Sequence, residues 1–84
     1  MKRIRVKFCG ITSSADAEKA VSAGPDALGF VFFKDSPRYV EPERAEAIIK
    51  DLPPFVTSVG IFVNEDIRFI QDCVEKCGLG AVQI

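Results

Sequence analysis

Four short apolar, strand-like runs alternate with three amphipathic, helix-like segments along 84 residues, joined by brief connections. A β-α-β-α-β-α-β order of this kind demands a parallel sheet. Parallel neighbours need a crossover helix between them, and that crossover is right-handed. In the first run Ile4, Val6 and Phe8 alternate with Arg5, Lys7 and Cys9, so one face is greasy and the other carries cations and a thiol. Ser13 is placed to cap a helix with Asp16 three residues on. Ala17, Ala20 and Val21 mark its buried side, and Gly24-Pro25 ends it. Ala27 to Phe33 is continuously apolar, as in a strand covered on both faces, and leads into a loop from Lys34 to Tyr39.

A second helix opens at Pro42, where the missing N–H costs nothing. It presents Ala45, Ile48, Ile49 and Leu52 to the core before Pro53-Pro54 breaks it. Another strand spans Val56 to Val63. Asn64 is placed to cap a third helix running through Cys77, with Glu65 and Asp66 in its first turn and Gly78 as terminator. A last strand covers Ala81 to Ile84. Two architectures accommodate this order, a doubly wound open sheet and a (β/α)8 barrel. Arg5 and Lys7 on an inward strand face suit a barrel interior better than the centre of a fully covered sheet.

With 48% apolar and 27% charged residues the chain reads as folded, yet at 84 residues it is one domain or part of one. Its net charge is −1 with the basic residues scattered, which points away from nucleic-acid and membrane-surface partners. There is no apolar run of signal-peptide or membrane-span length, so the expected location is the cytoplasm. Cys9, Cys73 and Cys77 are an odd number and are expected as reduced thiols. Cys73 and Cys77 continue the stripe of Ile67, Ile70 and Val74, so they read as core, and without His no zinc site is expected. No cofactor is expected either.

The residues with the most chemical content are Lys7-Phe8-Cys9-Gly10-Ile11-Thr12, which put a thiol where a strand hands over to a helix. Taken alone, Cys9 reads first as a small half-buried hydrophobe on an edge strand. Lys7 would then be a snorkelling lysine and Arg38 a surface residue. A redox role for Cys9 lacks the usual Cys-x-x-Cys spacing. Gly10 and Gly29 read as positions of backbone turning or close packing, since no phosphate-binding glycine pattern surrounds them. Asn64 reads as a helix cap and Asp35 as an exposed loop carboxylate; Gln83 faces the same rim without an assigned role.

Lys7-Phe8-Cys9-Gly10-Ile11-Thr12, Gly29 to Phe33 leading into Ser36-Pro37-Arg38-Tyr39-Val40, Val59-Gly60-Ile61-Phe62-Val63-Asn64, and Ala81-Val82-Gln83 together resemble the phosphoribosylanthranilate isomerase family. That resemblance implies a (β/α)8 barrel of which residues 1–84 form the N-terminal half, with four of eight strands and the C-terminal half absent from the chain. It implies an Amadori rearrangement in tryptophan biosynthesis, converting N-(5-phosphoribosyl)anthranilate to 1-(o-carboxyphenylamino)-1-deoxyribulose 5-phosphate. Cys9 would be the base that takes the C2′ proton, Arg38 the grip on the anthranilate carboxylate, and Lys7 a substrate-side cation. A thiol ionises close enough to neutrality for nearby cations to make a useful fraction of thiolate. The general acid and the phosphate site would lie on later strands, so the 84 residues alone are expected to be inactive. The alternative is a half-barrel assembly module. Its open edges would invite self-association or pairing with a C-terminal half-barrel, leaving the site a relic.

Overall fold

The computed structural model describes residues 5–84, so Ile4, at the start of the expected first strand, lies outside the described residues. Seven elements follow one another: β1 (Lys7–Cys9), α1 (Ser14–Ser22), β2 (Ala27–Val31), α2 (Pro42–Lys50), β3 (Thr57–Ile61), α3 (Ile67–Cys77) and β4 (Ala81–Gln83). The strands form one sheet in the order β1-β2-β3-β4, with every pair parallel. Each strand thus sits beside its successor, with one helix carrying the chain across between each parallel pair.

The register sorts the side chains. Phe8, Leu28 and Ser58 share one row and Phe30 and Gly60 the next, while Lys7, Ala27 and Thr57, then Cys9, Gly29, Val59 and Ala81, alternate with them. The first set points at the helices. Leu28, Phe30, Phe32 and Phe62 are buried there with Ala17 of α1, Ala45 and Ile48 of α2, and Ile70, Cys73 and Cys77 of α3. Phe32 stacks on Phe62 at 5.3 Å between ring centroids, and Phe69 meets Phe62 edge-on at 6.0 Å. Each buried ring contributes about 2–3 kcal/mol of transfer free energy. Gly60 makes that packing possible: a Cβ there would stand 2.6 Å from Leu79 Cδ1 and 2.9 Å from Phe62 Cε2.

The other face is concave. Three strand spacings of about 4.8 Å would separate β1 from β4 by roughly 14 Å in a flat sheet. Lys7 Nζ nonetheless donates to Gln83 Oε1. Cys9 is in register, through Gly29 and Val59, with Ala81, so Lys7 lies one pleat below that row and Gln83 one above it. The contact therefore runs diagonally across a curled sheet with staggered strands, the geometry a closing barrel needs.

Helix ends follow local chemistry. Ser13 Oγ accepts from Asp16 N at 3.1 Å, Pro42 occupies the first turn of α2, and Gly78 ends α3 at φ 70°. The cap of α3 corrects the sequence reading. Asp66, not Asn64, caps the helix, its carboxylate accepting from Arg68 N at 2.9 Å. Asn64 instead turns the chain at φ 50°, a left-handed conformation that Asn tolerates better than most residues. Ile67 then falls in the first turn and is 63% exposed rather than on the buried stripe. The strands are shorter than the apolar runs. Past Val31 the chain folds back, so that Val40 N reaches Val31 O at 3.0 Å, leaving Phe32 and Phe33 beyond β2. Val56, Phe62 and Val63 likewise flank β3, and Ile84 follows β4. Among the described residues no helix is long and apolar enough to cross a membrane.

Candidate active site

Cys9 ends β1 on the concave face, its thiol free and exposed. The next strand leaves room for it: a Cβ on Gly29 would lie 3.1 Å from Cys9 Sγ. A side chain at this position would crowd the sulfur and push it off by a few tenths of an ångström. Beyond Cys9 the backbone turns at Gly10, φ 85°, a region that favours glycine. The turn is pinned to β2, because Gly10 N and Ile11 N both donate to Gly29 O, at 3.0 and 3.1 Å.

Arg38 reaches the same corner from the loop after β2. Its Cδ would collide with a Cβ on Gly10, and its Nε and Cγ lie 3.2 and 3.3 Å from that point. The aliphatic stem of Arg38 therefore lies across the glycine that follows Cys9. Hydrogen bonds hold the loop on both sides: Arg38 N donates to Ser36 Oγ at 3.1 Å, Tyr39 N donates to Ser36 O at 3.1 Å, and Tyr39 bridges Val31 in parallel pairing. The thiol and the guanidinium stem thus share one mouth of the sheet, at the carboxyl ends of the strands, where parallel α/β folds bind ligands.

Lys7 stands two residues below Cys9 on the same face, about 7 Å along the strand, and donates to Gln83. Of the three sequence candidates, Cys9 and Arg38 are therefore brought together at one corner, while Lys7 shares the face of Cys9 and reaches toward β4. Asp35 lies exposed in the loop before Arg38. Sequence reasoning did not find the pairing of Gln83 with Lys7. Alternation of side chains puts both on the inner face, but which rows meet depends on curvature. The bridge from Tyr39 to Val31 carried no sequence signal at all.

Cys73 and Cys77 belong to the core and not to this site. Burial, reinforced by Cys77 and Asp72, pushes the Cys73 thiol up to about 11. Burial also raises Cys77, whose Sγ lies 3.3 Å from the Pro42 carbonyl. Among the described residues no group of three or more His, Cys, Asp or Glu is arranged to hold a metal ion.

Comparison with known proteins supplies the context for this arrangement. The family model for N-(5'phosphoribosyl)anthranilate (PRA) isomerase matches residues 6–84. The N-(5'-phosphoribosyl)anthranilate isomerase of Citrifermentans bemidjiense is 56% identical over 80 residues, which is 95% of this chain and 39% of that protein. Its counterpart in Thermotoga neapolitana is 52% identical over 81 residues, 96% of this chain and 40% of that protein. The crystal structure of phosphoribosyl anthranilate isomerase from Thermotoga maritima superposes with a TM-score of 0.94 at 51% identity, covering 96% of this chain and 40% of that one. A second crystal structure of the isomerase, in complex with reduced 1-(o-carboxyphenylamino)-1-deoxyribulose 5-phosphate, also gives 0.94 at 51% identity, over 96% and 42%. The chain spans about 40% of the length of the curated relatives it matches.

Proposed function

The chain belongs to the N-(5'-phosphoribosyl)anthranilate isomerase family, and from that premise we propose that it supplies the base and the carboxylate grip of an Amadori rearrangement in tryptophan biosynthesis. The observation that carries this reading is the convergence of Cys9 and Arg38 at one corner, through Gly10. The reaction begins when an acid protonates the ring oxygen of N-(5-phosphoribosyl)anthranilate and opens the furanose to a Schiff base. Cys9, as thiolate, then removes the C2′ proton. The enolamine that results tautomerises to 1-(o-carboxyphenylamino)-1-deoxyribulose 5-phosphate. Arg38 grips the anthranilate carboxylate in a planar, two-pronged contact. Lys7 adds positive charge on the face where the thiolate and the substrate meet. A related isomerase crystallised with the reduced form of that product supports this substrate class.

The general acid and the phosphate grip are assigned to later strands of a full barrel, which these 84 residues do not include. The 84 residues by themselves are accordingly expected to be inactive without the C-terminal half of the barrel. Mixing the chain with the C-terminal portion of a relative should restore turnover of the aminoaldose, and Cys9→Ser should then lower kcat at least a hundredfold. Unchanged kcat in the Cys9→Ser mixture would remove Cys9 from the mechanism.

A second reading, an assembly module with a relic site, is favoured by one observation. Val6 and Phe8 next to and in β1, and Val82 in β4, leave roughly 40% of their surface exposed at the two open sheet edges. Light scattering over a range of concentrations decides this. A monomer throughout excludes self-association as the way these edges are covered.

A further inference from the structure

Two consecutive turns that share Ser36 present Arg38 at the mouth of the sheet. Ser36 N donates to Phe33 O at 3.0 Å and closes the first, and Tyr39 N donates to Ser36 O at 3.1 Å and closes the second. In the second turn Ser36, Pro37 and Arg38 are the first three residues. Pro37 has a fixed φ and confines Ser36 before it to an extended conformation. Among the described residues Asn64 is the one non-glycine at positive φ, so Arg38 is at negative φ. The turn is therefore of type I, which favours Ser at its first position and Pro at its second. Such a turn uses the N–H of its fourth residue and leaves that of its third without a main-chain acceptor inside the turn. Here Ser36 Oγ takes it, accepting from Arg38 N at 3.1 Å.

One hydroxyl thus fixes the peptide plane from which the Arg38 side chain departs. The stem then crosses Gly10, so closely that a Cβ there would collide with Arg38 Cδ. Root and stem are held at separate points, and the guanidinium end is left to meet a ligand. Arg38 is exposed, and a long side chain ordered before binding loses less freedom when a ligand arrives. Resting on the reading of Arg38 as the grip on the anthranilate carboxylate, we propose that Ser36 is a positioning residue for substrate binding. Its hydroxyl orients the Arg38 backbone so that the guanidinium stands ready over the turn that follows Cys9. Ser36 acts only through Arg38.

The test combines steady-state kinetics of the chain mixed with the C-terminal portion of a relative and amide exchange in the 84-residue chain. Ser36→Ala removes the acceptor and is expected to raise KM for the aminoaldose about three- to tenfold, the weight of one hydrogen bond, with kcat within about twofold. Ser36→Thr keeps a hydroxyl and should restore KM. In an Arg38→Ala background Ser36→Ala should raise KM no further, because no grip is left to orient. A general loosening of the fold would persist in that background and would lower kcat. Wild-type KM in Ser36→Ala, no recovery in Ser36→Thr, or an equal rise with and without Arg38 would each overturn the proposal. Exchange of the Arg38 N–H, followed by NMR, should quicken about three- to tenfold in Ser36→Ala, and exchange at the wild-type rate would refute the hold itself. Quickened exchange with no effect of Arg38→Ala on KM would show that the hydroxyl holds the loop while the carboxylate role of Arg38 falls, and the proposal with it.

Discussion

Replacing Gly10 by Ala tests the corner where the thiol and the guanidinium stem meet. Two costs follow from the structure. At φ 85° the backbone lies in the left-handed region, where a Cβ costs roughly 1–2 kcal/mol. The reduced freedom of the unfolded chain offsets up to about 0.4–1 kcal/mol of that. The new methyl also overlaps Arg38 Cδ, the flexible stem of an exposed side chain that can swing aside, so the steric part should be modest. We expect a net loss of about 0.5–2 kcal/mol, or on the order of 1 M in the urea midpoint at an m-value near 1 kcal/mol/M for a chain of this size. The steric part is separable. Arg38→Ala alone should cost under about 0.5 kcal/mol, and the double variant should be more stable than the sum of the two by about 0.5 kcal/mol or more. Gly10→Asn should be milder than Gly10→Ala in its backbone cost, because Asn accepts positive φ. Urea titrations followed by circular dichroism measure all four. A Gly10→Ala midpoint within error of wild type would refute the backbone argument, and strict additivity with Arg38→Ala would refute the contact.

Gly60→Ala should cost about 1–3 kcal/mol, because its methyl meets the ring of Phe62 and the end of Leu79 rather than solvent; the same titration checks it. Asp66→Ala should lose about 1 kcal/mol through its helix cap, whereas Asn64→Gly should be neutral or slightly stabilising, the reverse of what capping by Asn64 would give. The raised Cys73 thiol makes stability fall in alkali: the folded chain holds that proton more tightly than the unfolded one. The contribution is therefore whole below about pH 9 and lost as pH rises toward 11. Urea midpoints between pH 8 and 11 should follow this slope, and Cys73→Ala should remove the larger part of it.

The helix signals that proved legible are those whose physics is local. Ser13 reaches an amide three residues on, Pro42 needs no donor in a first turn, and Gly78 adopts a left-handed cap because it lacks a Cβ. The third helix shows the limit of that logic. Asn64 and Asp66 are both good caps, and the sequence does not say which one takes the turn. Apolar runs overstated the strands for a related reason: Phe32 and Phe62, each one residue past the end of its strand and held there by a last hydrogen bond to the neighbouring strand, are as buried as Phe30 within β2. Burial writes hydrophobicity into a chain, whereas pairing depends on where a neighbouring strand ends.

Alternation and order alone determined a parallel βαβ chain, with Lys7 and Cys9 on one face and Arg38 on the loop at the strands' carboxyl ends, because side-chain period and crossover handedness are properties of the backbone. Tertiary structure decided what meets what on that face. Arg38 lies over Gly10, the Cys9 sulfur over Gly29, and Lys7 against Gln83. Those contacts depend on how far four strands curl and stagger, a sum of small twists spread over the whole sheet that no single stretch of residues encodes.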